Sequence, residues 1–161
     1  MNNRTLLTQD RMYMQYAFIL ANHAYSLGEI PVGAVLTFNN YIIGTGFNCS
    51  ISQHDPTAHA EIIAIRQAGK VLKNYRLLYT TLYVTLEPCT MCLGAILNSR
   101  ISRLVLGTKH ISKKYKEYKQ IDILKEIKNK NKIKVEELEE YLFVCTNLIK
   151  NFFRNKRKKN K

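Results

Sequence analysis

The stretch "TLYVTLEPCTMCLGAILNSRISRLVLG", residues 81–107, decides the fold. Two short apolar runs, 83–87 and 103–107, have the length and composition of strands. Between them, Pro88 stands where the first turn of a helix tolerates proline, and a largely apolar segment follows it. Because a helix joins the two strands, we expect them to be parallel neighbours in one sheet.

Upstream of this unit, apolar residues at helical spacing predict a first helix over about residues 8–27. The apolar runs "PVGAVLTF" and "YIIGTGFN" flank the pair Asn39-Asn40, which tolerates the positive φ of a tight turn, so they predict an antiparallel hairpin. The segment "DPTAHAEIIAIRQAG" begins with helix-entry chemistry and predicts a second helix that closes on Gly69.

Downstream, the sequence predicts a last short strand over 133–137 and a long helix from about residue 138. The polar segment 111–132 fits a helix, a loop or partial disorder equally well. Together these elements indicate an α/β protein with a mixed five-stranded sheet and helices on both faces. A length of 161 residues with 46% hydrophobic residues predicts one domain over residues 1–161.

Composition excludes several classes of protein. The chain contains no run of about eighteen apolar residues, and its first fifteen residues are polar, which argues against a transmembrane helix and a signal peptide. We therefore expect a cytoplasmic protein without a membrane partner. In a reducing compartment four cysteines are poor evidence for disulfides, and a C-x-x-C pair there is more often metal-binding or redox-active.

Most of the net charge of +13 is concentrated in the last third of the chain. Residues 1–108 carry eight basic and five acidic side chains, the segment 109–134 carries ten lysines and three acids, and the segment 150–161 carries seven basic residues and no acid. Such clusters suit a polyanion such as nucleic acid, because Lys and Arg neutralise phosphates. A lysine-rich tail can also be only a solvated terminus or a result of biased composition. Charge alone leaves these interpretations open.

Cys89 and Cys92 lie three residues apart at the predicted start of a helix, whose positive end favours the thiolate that a metal needs. A catalytic zinc takes three protein ligands and keeps one position for water. His59, at the start of the preceding helix, is the best third ligand. Glu61 then flanks the same pocket and is placed to move protons to and from water.

Each motif also has a simpler interpretation. A lone C-x-x-C indicates a structural metal site or a thioredoxin-like pair about as often as a catalytic one, and His59 alone would be an ordinary helix-end histidine. The set of "HAE", a gap of about thirty residues and "PCTMC" fits the catalytic zinc arrangement far better. The other two cysteines, Cys49 and Cys145, are expected in the core.

The pattern H-x-E followed by P-C-x-x-C resembles the signature of the zinc nucleoside and base deaminases. The segments "GEIPVGAVL", "IIGTGFN", "HDPTAHAEIIAIRQAG", "TLYVTLEPCTMCLGAILNSRISRLVLG" and the terminal "FFR" resemble, in order, those of the bacterial tRNA-specific adenosine deaminases. The resemblance covers nearly all of the chain except residues 108–134. It implies a three-layer α/β/α cytidine deaminase-like fold, and it implies a homodimer that acts on the wobble adenosine of a tRNA anticodon.

The resemblance also implies roles for individual residues. His59, Cys89 and Cys92 would bind one zinc ion per subunit, and Glu61 would shuttle protons while activated water attacks C6 of adenosine and ammonia leaves. The remaining implied residues would contact the substrate: Asn48, the backbone of Ala60, and Val32 around the purine, with Phe153 and Arg154 toward the RNA. Phe152 or Phe153 could instead anchor the last helix in the core.

After Gly107 the family usually continues with an acidic residue and a glycine-containing loop, whereas this sequence has "TKHISKKYKEYKQ" with His110 near the acidic position. This departure affects the expected RNA preference and not the chemistry. Two rival functions stay open. A deaminase of free guanine, cytosine or cytidine would share the zinc site but gain nothing from a basic tail. A non-catalytic RNA-binding protein with a structural zinc would need a fourth ligand, which is not evident near either motif.

Overall fold

The computed structural model describes residues 3–109 and 133–159. The elements in chain order are α1 (Asn3–Ser26), β1 (Gly33–Phe38), β2 (Tyr41–Phe47), α2 (Ala60–Leu72), β3 (Thr81–Val84), α3 (Thr90–Asn98), β4 (Arg103–Leu106), β5 (Lys134–Glu137) and α4 (Glu139–Lys159). The Lys-rich segment 111–132 and His110 lie outside the described residues. Within the described residues, no helix is long and apolar enough to cross a membrane.

The sheet has the strand order β2-β1-β3-β4-β5. β1 pairs antiparallel with β2 and β3, whereas β3, β4 and β5 are mutually parallel. The predicted parallel pairing of the strands around α3 is therefore confirmed, although β3 begins and ends earlier than the predicted run 83–87. The hairpin is confirmed as well, because Asn39 and Asn40 adopt φ values of 47° and 65°.

Side chains alternate across the sheet and divide the core into two layers. One layer, on the side of α2 and α3, contains the alternate strand residues Ala34, Leu36, Leu82, Val84, Leu104 and Leu106. The other layer lies under α1, where Val35, Tyr83 and Val105 pack against Tyr13, Met14 and Ala17. Alternation with period two requires this division, because successive side chains point to opposite faces of a strand. The three-layer α/β/α expectation is met.

The predicted end of α2 at Gly69 is wrong. The helix continues to Leu72, and the residue in the left-handed region is Lys73, with φ of 50°. Leu72 packs against the core, and that burial outweighs the small cost of a glycine inside a helix. The turn is closed by the Lys73 N–H, which donates to the Lys70 carbonyl, and the Asn74 N–H, which donates to the Gly69 carbonyl.

A buried ionic network ties α1 to the parallel strands. The Asp10 carboxylate, 3% exposed, accepts two hydrogen bonds from the Arg103 guanidinium at 2.8 and 2.6 Å and one from the Tyr83 hydroxyl at 2.7 Å. Arg103 also donates to Glu136 on β5. Burial opposes ionisation of Asp10, but the hydrogen bonds from Arg103 and Tyr83 outweigh it, so the pKa of Asp10 lies below its usual value.

Candidate active site

Two helix N-termini meet at the carboxyl end of β3. His59 is the N-cap of α2 and Cys89 is the N-cap of α3, and neither side chain makes a capping hydrogen bond. Both side chains instead point toward each other. The His59 Nδ1 atom lies 3.6 Å from the Cys89 Sγ and 3.5 Å from the Cys92 Sγ. The sequence prediction that these three side chains converge is thus consistent with the geometry.

The three donor atoms fit a zinc ion. They all lie within 4.8 Å of one another, and they form the only such cluster of His, Cys, Asp or Glu among the described residues. Tetrahedral zinc bonds of about 2.1 Å to nitrogen and 2.3 Å to sulfur place those two atoms roughly 3.6 Å apart, close to the observed distances. His59 and Cys89 also line a cavity, which leaves a side of the cluster open to a fourth ligand.

The environment of the two thiols favours the thiolate form at Cys89. Hydrogen bonds from Cys92 and His59 lower the pKa of Cys89 to about 4 against the effect of burial. The pKa of Cys92 is raised, because its thiol hydrogen-bonds to the Cys89 thiolate and is buried. The positive end of α3 favours negative charge at both positions. A bound cation would stabilise the thiolate form at both positions, including Cys92.

Glu61 lies in the first turn of α2, two residues after His59, and is 3% exposed. Burial is the main cause that raises the pKa of Glu61 to about 7, and the neighbouring Cys89 thiolate adds to the effect. The carboxyl group lines the same cavity as the donor cluster. A carboxyl group of this kind can both accept and donate a proton near neutral pH.

Asn48, which lies outside the helix, supplies a hydrogen-bond acceptor to the N-terminus of α2. Its side-chain Oδ1 accepts a hydrogen bond of 2.9 Å from the Ala60 N–H, which the N-cap side chain leaves without a partner. Asn48 is 7% exposed and lines the cavity, and so does Val32. Ala60 does not appear among the described residues that line it. The Ala60 backbone therefore orients Asn48, and direct contact of Ala60 with a substrate remains a prediction.

The cavity has a volume of about 760 Å³ and runs from the donor cluster to the last helix. The described residues that α4 contributes to its wall are Asn147, Ile149, Lys150, Asn151, Phe153, Arg154 and Arg157. Three of these carry positive charge and recur at helical spacing on one face. The wall also includes Ile30, Leu86 and Glu87.

The two phenylalanines of α4 have different environments. Phe152 is 6% exposed and packs edge-on against Tyr25 with ring centroids 5.7 Å apart, whereas Phe153 is 40% exposed and lines the cavity. Phe152 is therefore the core anchor. Cys49 and Cys145 are buried, as expected from the sequence.

Sequence reasoning missed Lys150, Arg157 and Asn147, which line the cavity beside Phe153 and Arg154. Their spacing relative to Arg154 is four, three and seven residues respectively, so the helical period of α4 was the available signal. It also missed Glu29, which is 2% exposed and whose Oε1 accepts a hydrogen bond of 2.8 Å from the Ser52 N–H. That contact braces the loop that leads into α2.

The chain resembles known proteins along most of its length. A family model for the cytidine and deoxycytidylate deaminase zinc-binding region matches residues 7–108. The chain is 55% identical over 152 residues to the tRNA-specific adenosine deaminase of Buchnera aphidicola subsp. Baizongia pistaciae (strain Bp), with 92% of this chain and 91% of that protein covered.

Two solved structures share both the fold and part of the sequence. One comes from biochemical and structural studies of A-to-I editing by tRNA:A34 deaminases at the wobble position of transfer RNA; its TM-score is 0.60 at 42% identity, covering 62% of this chain and 75% of that chain. The other is guanine deaminase from Bacillus subtilis, with a TM-score of 0.60 at 37% identity, covering 78% of this chain and 76% of that chain.

Proposed function

Since the chain belongs to the zinc-dependent deaminase family that includes the tRNA-specific adenosine deaminases, we propose that it deaminates adenosine to inosine at the wobble position of a tRNA anticodon. One observation carries the proposal. A single cavity joins a cluster of zinc-type donors and a buried carboxyl group to a basic, aromatic wall. The first part suits hydrolytic deamination, and the second suits an RNA substrate in place of a free base.

His59, Cys89 and Cys92 are the residues that would hold the zinc ion. Their one nitrogen and two sulfur atoms match a ligand set found at catalytic zinc sites, and the cavity reaches the cluster from one side. Zinc bound in such a site supplies a water molecule of lowered pKa as the nucleophile.

Glu61 moves the protons of the reaction. Its carboxylate takes a proton from the attacking water as the new C–O bond forms at C6 of adenosine. It then delivers a proton to the exocyclic nitrogen as the C–N bond breaks, so ammonia leaves and inosine remains. The burial that raises the pKa of Glu61 to about 7 suits a group that must both accept and donate.

Asn48 and Val32 would hold the purine over the donor cluster. The Asn48 Oδ1 is occupied by the Ala60 N–H, which fixes the side-chain orientation and leaves the Asn48 amide N–H groups for a base edge. Val32 is 5% exposed and lines the cavity with an apolar surface suited to a base. In this arrangement Ala60 acts by positioning Asn48.

The α4 wall would hold the anticodon loop outside the purine pocket. Phe153 presents a half-exposed ring on which an unpaired base can stack, and Arg154 lies next to it. Lys150 and Arg157 extend the positive charge along the same helix face, where they can neutralise phosphates. RNA loops are recognised in this way, because their bases can be splayed onto aromatic side chains.

The further expectations on organisation rest on the composition of the sequence and on the resemblance. We propose that residues 1–161 form one deaminase domain, with 109–134 as a variable Lys-rich segment and 150–161 as a basic helix end and tail. We also propose that the enzyme is a homodimer and acts in the cytoplasm. Light scattering of the purified protein at several concentrations tests the dimer directly.

The deciding experiment incubates zinc-loaded protein with a short anticodon stem-loop that carries adenosine at the wobble position and scores inosine. Free adenosine, guanine and cytidine are tested beside it. We expect inosine in the stem-loop and no turnover of the small substrates. Turnover of a free base or nucleoside alone would keep the zinc chemistry and replace the proposed substrate by that of the alternative, a free-base or nucleoside deaminase.

A further inference from the structure

The molecule has a second concentration of basic and aromatic side chains at the end opposite the cavity. α2 starts at the donor cluster and spans 13 residues, so its C-terminus lies about 20 Å away. The loop that follows α2 lies there beside the turn that follows α3, because the Leu77 N–H donates to the Ser99 carbonyl at 2.7 Å. Six exposed residues of these two segments form what we call the distal patch: Lys70, Lys73, Tyr75, Arg76, Tyr79 and Arg100.

Within the described residues, the positive charge of the distal patch is not paired with negative charge. Among the described residues, no acidic side chain lies within ion-pair distance of its four cations. The nearby Arg103 and Lys134 differ, because both are paired with Glu136. The segments 69–80 and 98–102 also contain no Asp or Glu. The patch is therefore suited to a polyanion.

Two tyrosines of the patch expose most of their surface. Tyr75 is 67% exposed and Tyr79 is 81% exposed. The Arg76 guanidinium lies 5.0 Å from the centroid of the Tyr75 ring, which gives a stacked cation and aromatic pair at the surface. Arginine and tyrosine side chains in this arrangement are typical of surfaces that stack unpaired bases and contact their phosphates.

The backbone under the patch is fixed although its side chains are exposed. The Tyr79 N–H donates to Ser102 Oγ at 2.8 Å, and the Arg76 N–H donates to Asn74 Oδ1 at 2.9 Å. Tyr79 nevertheless has φ of 60°, a conformation unfavourable for a bulky side chain. Because Tyr79 is exposed, burial gives little in return for this strain. Strain of this kind is found where it serves an interaction.

We propose that the distal patch is a second RNA-contact surface, which binds unpaired bases on Tyr75 and Tyr79 and the adjoining phosphates on its four cations. It acts separately from the deamination cavity, about 20 Å away. RNA is favoured over an acidic protein because the patch combines exposed rings with arginines, and every base offers a face for stacking. RNA binding at the distal patch does not require deamination at the cavity.

The test measures binding of a fluorescent oligouridine of about twelve nucleotides, a length within the usual site sizes for single strands. This RNA has no adenosine, so its binding does not depend on the proposed deamination. The Tyr79→Asn/Arg76→Ser variant is expected to bind it at least about 5-fold more weakly. Its plot of log affinity against log salt concentration should be shallower by about 0.7, the contribution of one phosphate contact on a single strand.

The matched control is Tyr41→Asn/Arg11→Ser, which also removes one exposed tyrosine and one exposed arginine, from β2 and α1. It should bind like the wild type. Equal oligouridine affinity of the distal variant and the wild type, or an equal loss in the control, would overturn the proposal.

A second measurement separates binding from folding. Asparagine adopts positive φ more readily than tyrosine, so Tyr79→Asn alone should raise Tm by roughly 2–4 °C while it weakens RNA binding. A fall in Tm would mean that Tyr79 serves the fold, and would also overturn the proposal. A negative result in the stem-loop deamination assay would not change the interpretation of either the oligouridine binding or the Tm measurement.

Discussion

Replacement of Gly46 by alanine should damage the active site although the residue touches no substrate. Gly46 lies on β2 directly under the first turn of α2, and a Cβ atom there would stand 2.1 Å from the Ala60 carbonyl oxygen and 2.9 Å from the Ala64 nitrogen. Ordinary contacts between carbon and a carbonyl oxygen are about 3.3 Å or longer. The helix that carries His59 and Glu61 would therefore have to move by about 1 Å.

The size of the effect follows from that displacement. Overpacking against backbone costs about 3 kcal/mol, the upper end of the usual range, which corresponds to a Tm lower by roughly 6–12 °C in a chain of this size. A misplacement of about 1 Å near a reacting centre can lower activity about 100-fold. Gly46→Ala is thus expected to lose stability and turnover, with its zinc content reduced because one ligand shifts.

Gly94 supplies the matched control. It lies inside α3, and an added Cβ would meet no atom of the other described residues within 4 Å, the adjacent backbone of α3 apart. Alanine there removes the entropic cost of a helical glycine, about 0.5–1 kcal/mol, so Gly94→Ala should raise Tm by roughly 1–4 °C. Thermal unfolding of the zinc-loaded proteins and metal analysis measure both variants. A Gly46→Ala protein with wild-type Tm and full zinc content would refute the close packing of β2 on α2.

Three further predictions concern the active site, the ionic network and the cavity face of α4. Glu61→Ala should retain zinc, and its turnover should fall by a factor of about 100–10,000. Cys89→Ala should lose both zinc and turnover. Turnover retained by Glu61→Ala would contradict the proposed proton transfer. Asp10→Asn should lower the free energy of unfolding by about 3 kcal/mol, the lower end for a broken buried pair because Glu136 still pairs with Arg103. The pKa of Asp10 is lowered in the folded state, so this stabilisation is complete above the unfolded pKa of about 3.9 and is lost as pH falls through the pKa of the folded protein. Urea titrations of the wild type and the Asp10→Asn variant at pH 7 and pH 3 check this prediction. A difference in unfolding free energy that is the same at both pH values would contradict the ionic network. Phe153→Ser/Arg154→Ser should raise KM for the stem-loop with little change in kcat, and steady-state kinetics that show only a fall in kcat would place these residues in the chemistry instead of RNA binding.

The sequence was sufficient wherever local chemistry fixes geometry. Asn39-Asn40 leaves few alternatives to a tight hairpin, and a helix between two short apolar runs makes parallel pairing nearly obligatory. Together with the antiparallel pairing of β1 with β3, those two constraints place the start of α2 and the start of α3 at the same end of the sheet. The convergence of His59 with Cys89 and Cys92 follows from that topology together with the ligand preferences of zinc.

The sequence was insufficient wherever the outcome depends on which groups meet across the fold. Gly69 has the chemistry of a helix end, but the burial of Leu72 extends the helix past it. On the sequence alone, Lys150 and Arg157 cannot be told from the solvated side of a charged helix. The packing of Phe152 against Tyr25 and the burial of Ile149 in the core set the rotation of α4 and turn that basic face toward the cavity.

The C-terminal ends of α2 and α3 offer a simpler explanation for the positive charges of the distal patch. The C-terminus of a helix attracts cations, each worth about 0.3–1 kcal/mol, and Lys70, Lys73 and Arg100 all lie at such ends. That attraction depends on charge alone, so it gives no reason for exposed rings at Tyr75 and Tyr79 or for the strained backbone of Tyr79. Tyr79→Asn leaves every charge in place. A loss of RNA affinity in that variant would therefore assign the surface to RNA binding, because the helix dipoles predict no change.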